Sequence, residues 1–308
     1  MTRTHSPQPS ETGFRLALCW IVFPGTMAAA FSTHFLLQTT GAPASWTPYA
    51  AIVLAAAIVL VLEMVIPYDR SWAPDWKEMG NDLAFMILVQ AMVPLALSWF
   101  FSVTLIRYIS ALDLSITQWW PHDSPLVVQV AMTLTMAELL RYWLHVAAHK
   151  TKLWRLHAVH HSSKKLYWLN VGRFHPTEKG LQYLLDVLPF IILGVSVEVL
   201  AVHFVFYAVN GFYKHSNVHA RYGILNYVIS TADLHRWHHS RAARESNTNY
   251  GNNLIVWDLV FGTWFLPGDR RVGELGLMNP NYPMGFLAQM TTPFTPGLDQ
   301  ETGTTDAH

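Results

Sequence analysis

The chain has 308 residues, of which 52% are hydrophobic and only 13% are charged. This balance lies outside the range of ordinary soluble proteins and predicts a membrane protein. Basic and acidic side chains cancel to a formal net charge of zero, which excludes nucleic-acid binding through a global basic field. The single cysteine, Cys19, excludes an intramolecular disulfide.

The N-terminal part of the chain predicts two membrane spans after a short tail. Residues 1–13 are polar and contain proline, which is typical of disorder. The apolar run after them is too long for a signal-peptide core and has no clear cleavage site, so we expect it to remain attached. Phe14 to Gln38 and Tyr49 to Ile66 are each long enough to cross a bilayer.

Two further spans are predicted before the middle of the chain. The segment from Pro67 to Asn81 carries charges of both signs and two tryptophans, as a loop at the membrane surface does. Asp82 to Ile109 is the third predicted span, with a kink at Pro94. Leu126 to Leu144 is the fourth, and it runs directly into a stretch rich in histidine.

A second apolar segment, Leu181 to Phe212, is too long for one span and too short for two with a turn. We expect a re-entrant hairpin that turns near Gly194, with one long tilted helix as the alternative. The predicted fold is therefore an all-α, multi-pass membrane helix bundle of about four spans plus this hairpin. Residues 14–267 form a single domain in this prediction, and residues 268–308 are a surface extension that ends in disorder.

The histidines have the most regular spacing in the sequence. Ten of the sixteen histidines fall into four groups, in which the spacings H-x-x-x-H and H-x-x-H-H occur twice in the same order. These spacings place imidazoles on one face of a helix. The ten are His145, His149, His157, His160, His161, His215, His219, His235, His238 and His239.

Clustered imidazoles favour a metal site over ordinary polar-loop histidines, because they repel one another when protonated. A closed structural zinc site is a poorer interpretation, since it needs about four ligands and usually includes thiolates. Ten nitrogens suit two metals with about five ligands each. A pair of iron ions fits best.

These motifs resemble those of the fatty acid hydroxylase and sterol desaturase superfamily, a group of integral-membrane di-iron enzymes. The resemblance covers Glu138 to Pro267 and includes the four histidine groups in order. It also includes RFHP at 173–176, HSN at 215–217, NYGNN at 249–253 and WDLVFGTW at 257–264. Alkane hydroxylases and acyl-CoA desaturases also use histidine groups, but the closing stretch resembles that of the fatty acid hydroxylase and sterol desaturase group more closely.

The resemblance implies an oxygenase that uses two irons, O₂ and external electrons to hydroxylate a C–H bond of a membrane lipid, either an acyl lipid or a sterol. No haem, flavin or iron–sulfur motif is present, so the electrons must come from a separate ferredoxin or cytochrome b5-like protein. Zinc can replace iron in a purified sample. Desaturation is the alternative reaction, and a non-catalytic metal-binding or transport protein is the alternative class.

The distribution of basic residues predicts the orientation. Fifteen of the twenty lysines and arginines lie from Arg141 onward, so the histidine-rich cap is expected on the cytoplasmic face, in this case of a bacterial inner membrane.

Other residues near the histidine groups have candidate roles. Metal-bound imidazoles usually donate their second N–H to a carboxylate or carbonyl, and the acids Glu138 and Asp233 are the candidate partners. His175, in RFHP, is a candidate for a hydrogen-bonding role next to the metal ligands, with direct contact to metal as the alternative. Glu138 alternatively pairs with Arg141. Asn249, Tyr250 and Asn253 form a turn or contact the substrate. No metal is expected at His5, His34, His122, His203 or His308.

Overall fold

The computed structural model describes residues 13–111 and 116–298. The predicted disorder at the two ends of the chain concerns mainly residues outside these ranges. Within them the fold is all-α, without a strand, and the only β-type contacts are isolated bridges between Pro67 and Val218, Ile229 and Leu254, and Ser240 and Leu275. The α-helices are α1 Gly13–Thr39, α2 Thr47–Val65, α3 Trp76–Ala84, α4 Met92–Ala111, α5 Leu126–Lys150, α6 Trp154–His161, α7 Pro176–Asp186, α8 Leu188–Ile192, α9 Val197–His215, α10 Ala232–His238, α11 Ala243–Ser246, α12 Val256–Phe261 and α13 Phe286–Gln289. Short 3₁₀ helices occupy Arg70–Trp72, Thr117–Trp119, Trp168–Gly172, Gly223–Tyr227 and Thr292–Phe294.

Three helical segments of the described chain are long and apolar enough to cross a membrane: α1, α2 and the continuous stretch Trp76–Phe101. Large apolar side chains point outward from them, including Val53, Met64 and Trp99, each about 70% exposed. Exposed apolar side chains on this scale would be costly in water and are favourable in lipid. The chain is therefore a membrane protein, and its first three predicted spans agree with helices of the structure.

The third predicted span is irregular near Pro94, where the sequence predicts a kink. Residues Phe85–Ala91 form a π-helix between α3 and α4, immediately before Pro94. Proline has no N–H to donate to the carbonyl four residues earlier, and π-helical turns are a common way to accommodate such a break. At the start of the same stretch, Asp75 and Glu78 form a reciprocal capping box.

Helix α5 covers the predicted fourth span but is not among the segments that qualify as candidate spans by length and apolarity. Its charged residues Glu138 and Arg141 are buried against neighbouring helices. Arg141 pairs with Asp186 of α7 at 3.2 Å rather than with Glu138. Because these side chains turn inward, α5 still exposes apolar residues such as Val127 and Trp143 on its other side.

The apolar segment between the second and third histidine groups is broken into three helices, α7, α8 and α9, and is not one long helix. A turn at residues 193–194 separates α8 from α9, and the φ of +67° at Gly194 is left-handed and favours glycine. Ser196 then caps α9 by accepting a hydrogen bond from the Val199 amide. The turn near Gly194 is thus present, and α9 packs on both α5 and α2.

The C-terminal extension folds back on the histidine region. The Arg241 amide donates to the carbonyl of Glu274 at 2.8 Å, and the Gly276 amide donates to the carbonyl of His239 at 3.2 Å. Gln289 is fully buried, and its amide group donates to Ser162 at 2.9 Å. The extension therefore covers one side of the segment that carries the histidines.

We predict that Gly172→Ala destabilises the protein by roughly 1–3 kcal/mol, the usual cost of overpacking. A Cβ at this position would lie 3.0 Å from the backbone Cα of Met86, so the 3₁₀ helix and the π-helix would have to separate. Thermal unfolding in detergent measures the effect. Gly80→Ala is the matched control, because a Cβ there meets nothing within 4 Å. Equal melting temperatures for the two variants would contradict the close approach.

Candidate metal centre

Nine of the ten candidate histidines converge in two neighbouring groups. In each group the inward ring nitrogens all lie within 4.8 Å of one another. The five-histidine group consists of His145, His149, His157, His161 and His238. The four-histidine group consists of His160, His215, His235 and His239. The groups adjoin, since the rings of His161 and His239 stack with centroids 4.4 Å apart.

The nitrogen separations fit a shared metal in each group. In the five-histidine group, Nε2 of His157 lies 3.0 Å from Nε2 of His145 and 3.1 Å from Nε2 of His161. In the four-histidine group, Nε2 of His235 lies 2.9 Å from Nε2 of both His215 and His239. Two imidazoles bound at right angles to one metal, with bonds of about 2.1 Å, place their nitrogens about 3 Å apart.

In several of the nine rings the opposite nitrogen is held by a hydrogen bond, whereas Nδ1 of His235 and of His239 is buried without a partner in the described structure. Nδ1 of His145 donates to the carbonyl of Tyr250 at 2.6 Å, and Nδ1 of His238 donates to that of Thr248 at 2.8 Å. His160 donates to the carbonyl of Arg173 at 3.2 Å. His215 donates to the side-chain oxygen of Asn170 at 3.0 Å. A proton fixed on Nδ1 leaves the Nε2 lone pair free for a metal.

Burial keeps these imidazoles in the neutral form that a metal requires. Burial, and then the neighbouring histidines, hold the pKa values of His160, His161 and His239 well below the usual 6.5. Burial lowers the pKa of His238 to about 3, although its hydrogen bond to Thr248 opposes the shift. Eight of the nine histidines have a lowered pKa, which keeps these donors neutral at physiological pH, as metal binding demands.

His219 is the predicted ligand that the structure does not bring to either group. Helix α9 ends at His215, and the chain continues in an extended conformation that runs beside the end of α2. The His219 amide donates to the carbonyl of Ile66 at 2.8 Å, and its ring lies 6.3 Å from that of Tyr68. His34, His122 and His203 also belong to neither group.

The three residues proposed as partners of the metal-binding histidines contact other parts of the chain. Glu138 accepts hydrogen bonds from the backbone amides of Asn252, Asn253 and Leu254. Asp233 pairs with Arg236 at 3.2 Å. His175 caps α7 by accepting from the Thr177 amide at 3.2 Å and donates to the carbonyl of Met290 at 3.3 Å.

The NYGNN motif is a turn that also holds the metal centre. Asn249 has a φ of +53°, a conformation that asparagine tolerates better than most residues. Buried Asp258 accepts from the amides of Tyr250 and Gly251, each at 2.7 Å. The turn presents the Tyr250 carbonyl to His145, and the Tyr250 ring packs 5.2 Å from that of His149.

Glu178, a carboxylate next to the centre, is not among the hydrogen-bond partners predicted from the sequence. Glu178 lies in the first turn of α7, and its Oε1 accepts from Nδ1 of His157 at 2.7 Å. The contact joins residues 21 positions apart. The motif RFHP immediately before it was the only sequence signal that pointed to this segment.

The apolar helices and the two histidine groups define the class: a membrane-embedded protein with a candidate metal centre built from imidazoles. The chain matches the fatty acid hydroxylase family model over residues 130–263. It is 35% identical to an ornithine lipid hydroxylase of Rhizobium tropici over 242 residues, which cover 78% of this chain and 73% of that protein. The chain therefore belongs to the fatty acid hydroxylase family and is an oxidoreductase.

More distant relatives are alkylglycerol monooxygenases. The protein from Xenopus tropicalis is 30% identical over 227 residues, which cover 72% of this chain and 48% of the relative. The protein from Danio rerio is 32% identical over 140 residues, which cover 45% of this chain and 30% of the relative. The chain thus spans at most about half the length of these two relatives. No solved structure gives a significant match.

We predict that the metal-free protein loses stability as the pH falls below about 6.5. The unfolded chain takes up protons on its histidines near their usual pKa of 6.5, whereas the folded groups, with lowered pKa values, do not. The contribution of these histidines to stability therefore rises with pH up to about 6.5 and is complete above it. The melting temperature of chelator-treated protein should fall by at least about 2–4 °C between pH 7.5 and 5.5, the shift that 1 kcal/mol gives in a chain of this size. A constant melting temperature would contradict the buried neutral imidazoles.

Proposed function

We propose that the protein is a membrane-bound di-iron oxygenase that hydroxylates a C–H bond of a membrane lipid. The observation that carries the proposal is the convergence of nine imidazoles, with Nε2 inward, in two adjoining groups. The family and the relatives, an ornithine lipid hydroxylase and an alkylglycerol monooxygenase, support a lipid hydroxylase over a desaturase. Two irons bound in these groups would supply the O₂ activation that attack on an unactivated C–H bond requires.

The protein's own residues bind, orient and shield the centre. Backbone carbonyls and Asn170 hold the imidazoles in one tautomer, as described above. Aromatic rings cover the outside of the histidines: Phe174 stacks on His160 with centroids 4.1 Å apart, and Trp154 lies 5.1 Å from His149. Exclusion of water by such rings protects a reactive centre from side reactions.

An ornithine-containing lipid is the first substrate to test. The Rhizobium tropici relative matches over 73% of its own length, whereas the monooxygenase of Xenopus tropicalis is matched over 48% of its length. A lipid can reach the centre without crossing water if α5 is a fourth span and the hairpin of α7, α8 and α9 re-enters the bilayer. In this arrangement both histidine groups lie on the cytoplasmic face, where basic residues concentrate.

We predict that cells that express the protein gain a lipid with one added oxygen, and that His238→Ala abolishes the product because it removes a member of the five-histidine group. Lipid mass spectrometry of cells that contain ornithine lipids, grown with air, measures the product. His122→Ala is the control and should retain activity, since its ring contacts only the local Thr117 carbonyl by hydrogen bond. Loss of two hydrogens instead of gain of oxygen would show a desaturase. An unchanged lipid profile would contradict both reactions.

We further propose that the electron donor is an acidic carrier protein that docks beside the five-histidine group. A cavity of about 180 Å³ opens there, and His149 and His161 are among its lining residues. Lys150, Lys152 and Arg244 are exposed and adjoin lining residues in the sequence. The nearby acids Glu245 and Glu274 are paired with Arg270 and Arg241. Among the described residues, the charges at the edge of the cavity are therefore net positive, which favours and accelerates the approach of an acidic partner.

Reversal of these charges should slow reduction of the metal centre by a ferredoxin by roughly 10-fold or more at low ionic strength, because electrostatic steering is lost. The test is stopped-flow reduction of the iron-loaded K150E/K152E/R244E variant by a reduced ferredoxin. Direct photochemical reduction of the same variant should proceed at the normal rate. Lys77→Glu, on an exposed turn of α3, is the control for charge alone. Equal rates for the triple variant and the control would contradict docking at this cavity.

A further inference from the structure

The two histidine groups differ in the chemistry that supports them. The hydrogen-bond acceptors of His145, His160 and His238 are neutral backbone carbonyls, and that of His215 is a neutral side-chain amide. The acceptor of His157 is the Glu178 carboxylate. Of these five Nδ1 hydrogen bonds within the two groups, the one from His157 is made to a carboxylate and the other four are made to neutral groups.

Glu178 is built into its position. Gln182, one turn further along α7, donates to the same oxygen of Glu178 at 3.1 Å. Glu178 is 5% exposed and Gln182 is 2% exposed. The second oxygen, Oε2, is buried without a hydrogen-bond partner in the described structure. His175 caps the helix that carries Glu178, which explains the place of RFHP next to this residue.

His157 in turn occupies a central place in the five-histidine group. Its Nε2 lies near that of His145 on one side and that of His161 on the other. Its ring is also 5.3 Å from that of His160, a member of the four-histidine group. A change in the electron density of the His157 ring therefore acts first on a metal in the five-histidine group.

A carboxylate acceptor polarises the Nδ1–H bond and makes Nε2 a stronger donor to a metal than a carbonyl acceptor does. We propose that Glu178 is a positioning residue that makes the two metal positions inequivalent. The metal in the five-histidine group is held more tightly and is stabilised in its oxidised state. The metal in the four-histidine group has fewer protein ligands and neutral support, so it keeps the position that external ligands reach. The inference rests on the proposed di-iron function for the identity of the metal.

Mössbauer spectroscopy of the full chain, purified in detergent and loaded with the Mössbauer isotope of iron, tests this inference. The wild type should give two distinct signals of equal area. Glu178→Gln retains an acceptor but removes the charge, so it should shift one signal and leave the other. The same variant should bind one of its two metal equivalents roughly 10–100-fold more weakly, the usual effect of losing such a partner.

Asn170→Asp is the matched variant on the other group. It replaces the amide acceptor of His215 by a carboxylate of nearly the same shape, so it should shift the other signal. Gln182 donates a hydrogen bond to Glu178 and to no histidine of either group. Gln182→Met should therefore shift the same signal as Glu178→Gln, but by less. This variant keeps the inference testable if Glu178→Gln does not fold.

Equal shifts of both signals in Glu178→Gln, or no shift in either Glu178→Gln or Gln182→Met, would overturn the inference. Failure of the di-iron function gives a different result, because the wild type would then bind no iron. In that case a cobalt titration still compares the two groups: two binding steps, of which only the tighter weakens in Glu178→Gln, would support the role of Glu178. Two equal steps would contradict it.

Discussion

The structure depends on the inward orientation of the buried imidazoles, which a hydrogen bond from Nδ1 fixes in five of the nine rings. An unpaired buried N–H costs about 1–3 kcal/mol, so each acceptor in the wall of the centre stabilises the orientation of the ring that it contacts. These acceptors come from distant segments of the chain: Arg173 precedes α7, whereas Thr248 and Tyr250 lie in the turn before α12. Folding of these segments around the histidines is therefore inseparable from formation of the metal centre.

Buried carboxylates hold the segments that hold the histidines. Asp82 on α3 pairs with Arg173, and the carbonyl of Arg173 accepts a hydrogen bond from His160. Asp258 and Glu138 together bind five consecutive amides, from residue 250 to residue 254, and so fix the turn that presents Tyr250. A single charged partner removed from such a network typically costs about 3–5 kcal/mol. These acids bind the segments around the histidines rather than the histidines themselves, yet the alignment of the imidazoles depends on them.

The sequence predicted most of the site because its spacings are those of a helix. His157 and His161 lie four residues apart on α6, and His235 and His239 do so on α10 and its cap. His215 and His219 have the same spacing, but α9 ends between them when Ser216 adopts an extended conformation. No glycine or proline marks that end. It is set by pairing with the residues after α2, about 150 positions away, which no local pattern reveals.

Long-range contacts also explain the other differences. Glu138 and Asp233 are predicted as hydrogen-bond partners of the histidines because they lie close to them in the sequence. Glu178 instead contacts His157 from 21 positions away, and a loop and a 3₁₀ helix lie between the two residues. The first three spans could be predicted because uniform apolarity is a property of the segment alone. Helix α5 is harder to classify, since Glu138 and Arg141 find buried partners on the distant segments 252–254 and α7.

The most direct test of this account is an experimental structure of the iron-loaded protein with anomalous diffraction recorded at the iron edge. The account predicts two anomalous peaks, one among His145, His149, His157, His161 and His238, and one among His160, His215, His235 and His239. Both peaks should be surrounded by Nε2 atoms. A single peak, or peaks remote from these nitrogens, would contradict the central claim.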